Sequence, residues 1–258
     1  MKLNYTQDIA YVLNSHIYEY DISKANINIL YYYGKISKEE YERVYNADRM
    51  ERQKIVGIME LKDKEVYQVI KNGVLEMREN LIKQNNIYDE NILSCKNDAL
   101  FIINQQPQIT KFGNVEFKLK NIYTSFFKLK NLEFYYYNSN IDNMEKLDIK
   151  GINDNKLKLH EDYMIDFFKT IFDTIDNNID DSIMIIRNFY NQYLSNQLPL
   201  GYYRNFNSES MFSVNVYDNI YDMNMISERD LEYICKNYNL DLIRELWGIV
   251  THIKFKRK

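Results

Sequence analysis

Two aspartates stand at the ends of apolar, β-prone segments, and they carry the most chemistry in this 258-residue sequence. Asp98 falls within Ile87–Gln105, IYDENILSCKNDALFIINQ. There the apolar pair Ile92 and Leu93 gives way to a polar break, Ser94 to Asp98, and then to a second apolar run, Leu100 to Ile103. The pattern predicts a strand–turn–strand hairpin. Asp98 then sits at the mouth of the second strand, solvent-reachable on rigid backbone, as a metal or phosphate site requires. Asp21 falls within Ile17–Tyr33, IYEYDISKANINILYYY, and is likewise delivered by an apolar segment. Two carboxylates meeting on adjacent strands can share divalent cations, the minimum equipment for two-metal phosphoryl or nucleotidyl transfer. Aspartate also serves turns on its own account, and both roles are open at this level.

Two groups of cations complement the acids. RMERQKIVGIM, Arg49 to Met59, brings together Arg49, Arg52 and Lys54. Such a cluster is either a solvated helix face or a grip for a triphosphate. Farther on, KFGNVEFKLKNIYTSFFKLK, Lys111 to Lys130, sets Lys111, Lys118, Lys120, Lys128 and Lys130 against the single acid Glu116. Val115, Phe117 and Leu119 alternate with Glu116, Lys118 and Lys120, the period of a strand. A basic surface with interleaved aromatics suits nucleic acid, while a lysine-edged strand also protects a sheet edge.

The elements that must position these residues follow from pattern. Residues 1 to 16 read as weakly helical, 17 to 22 as a strand, and Ala25 to Tyr33 as a helix ended by Gly34. Ser37 followed by Glu40 has the spacing of a capping box, so a helix runs from about Lys38 through Val44. Helical character continues over Arg49–Met59, Lys64–Ile70 and Gly73–Gln84. Leu132–Tyr137 and Leu147–Ile152 read as further strands. From Lys156 onward the chain turns helical: Tyr163–Ile175, a helix capped by Asp180 and Asp181 through Leu194, one from Ser227 toward Asn237, and Leu240–Ile249 around Trp247.

The length suffices for one large domain or two small ones. Net charge is −4, so any nucleic-acid binding must use a local patch. The two cysteines, Cys95 and Cys235, are far apart and His16, His160 and His252 are scattered. That argues against a disulfide framework and against structural zinc. The N-terminus has no apolar stretch of signal-peptide type, and no segment approaches the roughly 20 apolar residues of a membrane span. A cytoplasmic chain without membrane partners is expected, in the host cytoplasm if it is phage-encoded.

In order and spacing these motifs resemble the palm of family B DNA polymerases, in a divergent, shortened, phage-like form. That family's first acidic motif, D-x-x-S-L-Y-P-S-I, is similar to Asp21-Ile22-Ser23-Lys24-Ala25-Asn26-Ile27-Asn28-Ile29. Its second, Y-x-D-T-D-S-hydrophobic-F, overlays Ser94-Cys95-Lys96-Asn97-Asp98-Ala99-Leu100-Phe101. Its K-K-x-Y is matched by Lys120-Asn121-Ile122-Tyr123, followed by Lys150-Gly151-Ile152. The resemblance covers roughly residues 17 to 152.

It implies an α+β fold with a palm-like antiparallel sheet from residues 1–33 and 86–155. A helical fingers-like insertion would span 34–85 and a helical, thumb-like region 156–258. It implies that Asp21, Asp98 and the Ile22 carbonyl hold Mg²⁺ (or Mn²⁺). Arg49, Arg52 and Lys54 would grip the incoming nucleoside triphosphate, with Asn26 beside its sugar. Lys111, Lys118, Lys120, Tyr123 and Lys128 would follow primer–template DNA or RNA. The activity implied is template-dependent nucleotidyl transfer without an exonuclease domain, in company with other replication proteins.

The chain also departs from the pattern. Asn26 replaces the tyrosine that excludes a ribose 2′-hydroxyl, which keeps a primase or RNA polymerase-like activity open. Lys96 replaces an aspartate, Asn121 replaces a lysine, and K-x-x-x-N-S-x-Y-G is absent. Those changes keep open an inactive palm that binds nucleic acid or serves as a replisome subunit. A protein whose aspartates only cap and turn is the third alternative.

Overall fold

The computed structural model describes residues 2–139, 144–152, 164–203 and 236–257. Its strands are β1 (Asn4–Thr6), β2 (Tyr11–Val12), β3 (Ile17–Ile22), β4 (Ile92–Lys96), β5 (Ala99–Ile103), β6 (Lys111–Phe112), β7 (Val115–Tyr123), β8 (Ser125–Leu129), β9 (Leu132–Ser139) and β10 (Met144–Lys150). Its helices are α1 (Ala25–Tyr32), α2 (Lys38–Asn46), α3 (Arg49–Lys62), α4 (Lys64–Gln84), α5 (Met164–Ile175), α6 (Ile179–Leu194) and α7 (Lys236–Lys256). The class is α+β, with two antiparallel sheets, a helical insertion between β3 and β4, and a helical C-terminal part. Contacts divide the chain into Met1–Ile9 with Asn14–Tyr123, and Ala10–Leu13 with Thr124–Lys258.

In the first unit six strands run in the order β1-β4-β5-β3-β7-β6. β3 is central: Asp21 lies opposite Ala99 of β5 on one side and Lys118 of β7 on the other. Successive side chains of a strand point to opposite faces, so Tyr18, Tyr20 and Ile22 share one face and Ile17, Glu19 and Asp21 the other. Tyr20 and Ile22 join Ala25, Ile29, Val74, Met77 and Leu81 in the core beneath α1 and α4. That burial anchors the strand and leaves its other face to carry the two acids.

The insertion follows its capping signals. The Ser37 hydroxyl accepts from the Glu40 N–H at 3.1 Å, and the carboxylates of Asp48 and Asp63 cap α3 and α4. α4 runs without a break through Gly73, where two helices were expected. The glycine is there for contact: a Cβ on it would fall 2.3 Å from Ile29 Cγ2, so α1 and α4 pack together only because position 73 carries no side chain.

Several local expectations change. Residues 1 to 16 contain β1 and β2 instead of helix, because pairing to β4 and β8 outweighs their weak helical character. The hairpin around Asp98 is tighter than its polar break suggested. Ser94, Cys95 and Lys96 lie inside β4, and only Asn97 and Asp98 turn, with Asn97 at φ 52°. Asparagine tolerates that left-handed conformation better than most residues.

In the second unit the strand order is β10-β9-β8-β2. Phe127, Phe134, Tyr136, Phe168, Phe172, Ile243 and Leu246 share its core with other residues of α5, α6 and α7. The Phe127 and Phe172 rings stack at 4.4 Å. α6 is capped by the Asn178 side chain, which accepts from the N–H groups of Asp180 and Asp181, so those aspartates are first-turn residues and not the cap. The helix expected from Ser227 lies outside the described residues up to Lys236. No helix among the described residues is long and apolar enough to cross a membrane.

Candidate active site

Asp21 leaves β3 at its C-terminal end, and Asp98 sits in the turn between β4 and β5. The backbone locks the two together: Ile22 N–H donates to the Asp98 carbonyl at 3.4 Å, and Asp21 and Ala99 are paired in register. Both side chains line one cleft of about 360 Å³, a volume within the usual range of small-ligand sites. Burial, and then the negative charge of Asp98, push the Asp21 carboxyl up to about 6. Lys120 works against that rise.

The wall opposite is cationic. α3 presents Arg49, Arg52, Gln53 and Val56 to the cleft, spaced so that one helical face faces the acids. Arg49 is exposed and has no hydrogen-bond or ion-pair partner among the described residues. Arg52 donates through Nη1 to the Ala47 carbonyl, which fixes its guanidinium. Lys24 opens α1 in the left-handed region at φ 46°. It donates to the Tyr45 carbonyl at 2.8 Å and lies over that residue's ring. Partial burial and the neighbouring charges of Arg52 and Lys118 pull its pKa below the ordinary lysine value. Asn26 is exposed on the cleft's rim. Lys54 is exposed too, but it lies off the helical face that α3 turns to the cleft.

The basic stretch 111–130 is divided among three strands and two units. Lys111 is on β6, Lys118 and Lys120 are on β7, and Lys128 is on β8 in the second unit. Lys118 pairs with Glu116 at 3.8 Å. Lys120 turns toward the acids, 3.3 Å from Glu19 Oε1 and 3.9 Å from Asp21 Oδ2. Tyr123 is fully buried, its hydroxyl 2.6 Å from Glu19 Oε2, so as it stands it cannot reach a duplex backbone. Leu119, which alternates with Lys118 and Lys120, is 39% exposed although it lies opposite buried Tyr20. Glu19, Lys24 and Gln53 escaped the sequence reading. The Glu19-x-Asp21 spacing, two acids on one strand face, was the signal for the first.

The cleft fits a divalent cation in its donor chemistry. Asp21 Oδ1 is buried and receives no hydrogen bond, and carboxylate oxygens are the donors that Mg²⁺ and Mn²⁺ take. No group of three or more acidic, histidine or cysteine side chains suited to a metal occurs among the described residues. The protein side of such a site would be the Asp21 and Asp98 carboxylates, which both line the cleft.

Fold and site together define an α+β protein with a paired-carboxylate cleft walled by arginine and lysine. The chain belongs to the family described as Bacteriophage PBS1 gene 130 protein, whose profile matches residues 1–252. No curated protein matches it.

Proposed function

We propose that the chain is a template-dependent nucleotidyltransferase, similar to a DNA polymerase, acting on primer–template nucleic acid and nucleoside triphosphates. One observation carries this reading: Asp21 and Asp98, far apart in sequence, line the same cleft as Arg49 and Arg52. Carboxylates facing guanidinium groups suit a reaction that joins divalent cations to a polyphosphate.

In this reading Arg49, without a partner among the described residues, binds the phosphates. Arg52, already held by Ala47, adds charge to the same wall. Asp21 and Asp98, with the Ile22 carbonyl that the resemblance implies, would hold Mg²⁺ or Mn²⁺, which when bound activates the attacking primer hydroxyl and neutralises charge on the departing pyrophosphate. Asn26 on the rim meets the sugar. Lys111 and Lys118, both exposed on the first unit, are the lysines available for the template backbone.

A second reading is a catalytically silent protein that binds nucleic acid as a subunit beside other replication proteins. It is favoured by Lys120, whose ammonium already stands 3.9 Å from Asp21. A third, primase-like activity follows if Asn26 admits a ribose.

The test is primer extension by the purified protein with Mg²⁺ or Mn²⁺, with dNTPs and rNTPs in separate reactions and Asp98→Asn as control. Extension lost in the variant supports the proposal, and the nucleotide used decides between DNA and RNA synthesis. Binding of the primed template without extension supports the silent subunit. Neither binding nor extension removes both readings.

A further inference from the structure

Glu19 lies two positions before Asp21, so both leave the same face of β3. It is 1% exposed. A carboxylate buried so far needs donors, and it has them: the Tyr123 hydroxyl at 2.6 Å, Asn121 Nδ2 at 2.9 Å and Lys120 Nζ at 3.3 Å. Asn121 also donates to the Tyr123 hydroxyl at 3.0 Å, which ties the set together. Glu19 is thus a fixed anion. Asp21, by contrast, keeps one buried oxygen without a donor and meets Lys120 only at 3.9 Å.

Lys120 lies on the face of the two acids because Lys118, two positions before it, is paired with Asp21. In the β3–β7 register Tyr20 faces Leu119 and Glu19 faces Asn121, which leaves Lys120 as the extra residue. The shift brings Asn121 and Tyr123 onto that same face beside Glu19, as bulges re-aim side chains beside functional sites. The Lys120 side chain remains half exposed, so its ammonium has room to move.

We infer that Lys120 is a built-in counter-cation of Asp21 that a divalent cation displaces, its ammonium then resting on Glu19 alone. The inference rests on the proposed role of Asp21 in holding such a cation, and it assigns Lys120 a positioning role. Two positive charges cannot share Asp21 without repulsion. The nearer, firmly held Glu19 lets the ammonium leave Asp21 without becoming an unpaired charge. Lys120 would therefore set the threshold concentration at which the site fills.

The experiment is Mn²⁺ binding to the full chain, followed by the electron paramagnetic resonance of free Mn²⁺ at mildly alkaline pH, without nucleotide or nucleic acid. Lys120→Met is expected to bind Mn²⁺ about tenfold more tightly than the wild type, as removal of a neighbouring like charge from a partly screened site allows. Lys120→Arg keeps the charge and is expected to stay within about threefold of the wild type. Asp21→Asn abolishes binding in every background. Binding by Lys120→Met alone, with none by the wild type, supports the inference in its strongest form. Unchanged or weaker binding by Lys120→Met, with binding still lost in Asp21→Asn, overturns the inference and leaves the cation site standing. No binding by wild type or Lys120→Met overturns both. Failure of primer extension alone bears on the proposed reaction and not on this displacement.

Discussion

Asp21 and Asp98 stand as neighbours in one cleft, and their proximity, after burial, holds the Asp21 carboxyl at about 6 against an ordinary value of 3.8. The folded protein therefore keeps a proton that the unfolded chain has released between those values. Stability falls as pH rises through that window and levels off above it. Asp21→Asn removes the cost of the buried charge. It is expected to raise stability above about pH 7 by about 1 kcal/mol, the shift being discounted for solvent screening of a side chain one-third exposed. At about pH 4 it is expected to change little. Thermal unfolding at the two pH values, without divalent cations, measures the difference. A variant equally stabilised at both would show that the charge is not the cause.

The contact between Gly73 and Ile29 gives a prediction about the insertion. A Cβ at position 73 meets Ile29 Cγ2 at 2.3 Å and Tyr33 Cε2 at 2.9 Å. Gly73→Ala must push α1 away from α4 at an expected cost of about 1–3 kcal/mol. Gly57 in α3 is the internal control, with nothing within 4 Å of its added Cβ. Gly57→Ala is expected to stabilise by up to about 1 kcal/mol through helix propensity. Urea unfolding of both variants tests the pair. Equal effects would mean that the α1–α4 approach is not tight.

Much of this was legible in the sequence where short-range chemistry decides. Ser37 with Glu40 and Gly34 after Tyr33 marked helix ends that the structure reproduces, and the polar break between two apolar runs marked the hairpin. Gly73 misled because a local rule reads glycine as a break, whereas here it answers to a residue on another helix. The resemblance set Lys120 and Tyr123 together on a duplex backbone, although strict alternation puts residues three apart on opposite faces. Alternation from Lys118 already sets Lys120 on the side of the acids, and one bulge, invisible without the β3 partner, brings Tyr123 onto that side as well, against Glu19. β1 and β2 were missed for the same reason: strands of three and two residues carry no period of their own.

Arg49 and Lys54 sit on the same helix but differ in what they face. Arg49 lines the cleft, and Lys54 lies off that face. Arg49→Ala is expected to weaken binding of a fluorescent nucleoside triphosphate about tenfold or more, the worth of one charge-assisted contact to phosphate. Lys54→Ala is expected to leave it within about twofold, as an exposed charge off the site should. A titration at fixed ionic strength decides. Equal losses would indicate a diffuse electrostatic attraction in place of a defined phosphate grip.

Arg78 gives the last prediction, which concerns how Asp98 is held. Its guanidinium is fully buried and donates to the carbonyls of Leu3 and Lys2, both at 3.0 Å. Those carbonyls lead into β1, where the Asn4 side chain accepts the Asn97 N–H at 2.8 Å, the residue before Asp98. The arginine in α4 thus secures the N-terminal strand, and the strand secures the turn that carries the acid. Arg78→Ala strands two carbonyls and leaves a void, for an expected loss of about 3 kcal/mol or more. Arg78→Lys should recover little, since an ammonium lacks the planar fork that spans two acceptors. Asn4→Ala should cost only about 1 kcal/mol of stability. Its main effect is on the turn: faster amide exchange at Asn97 and weaker Mn²⁺ binding with the core intact. If Asn4→Ala leaves both unchanged, β1 supports the sheet but does not position Asp98.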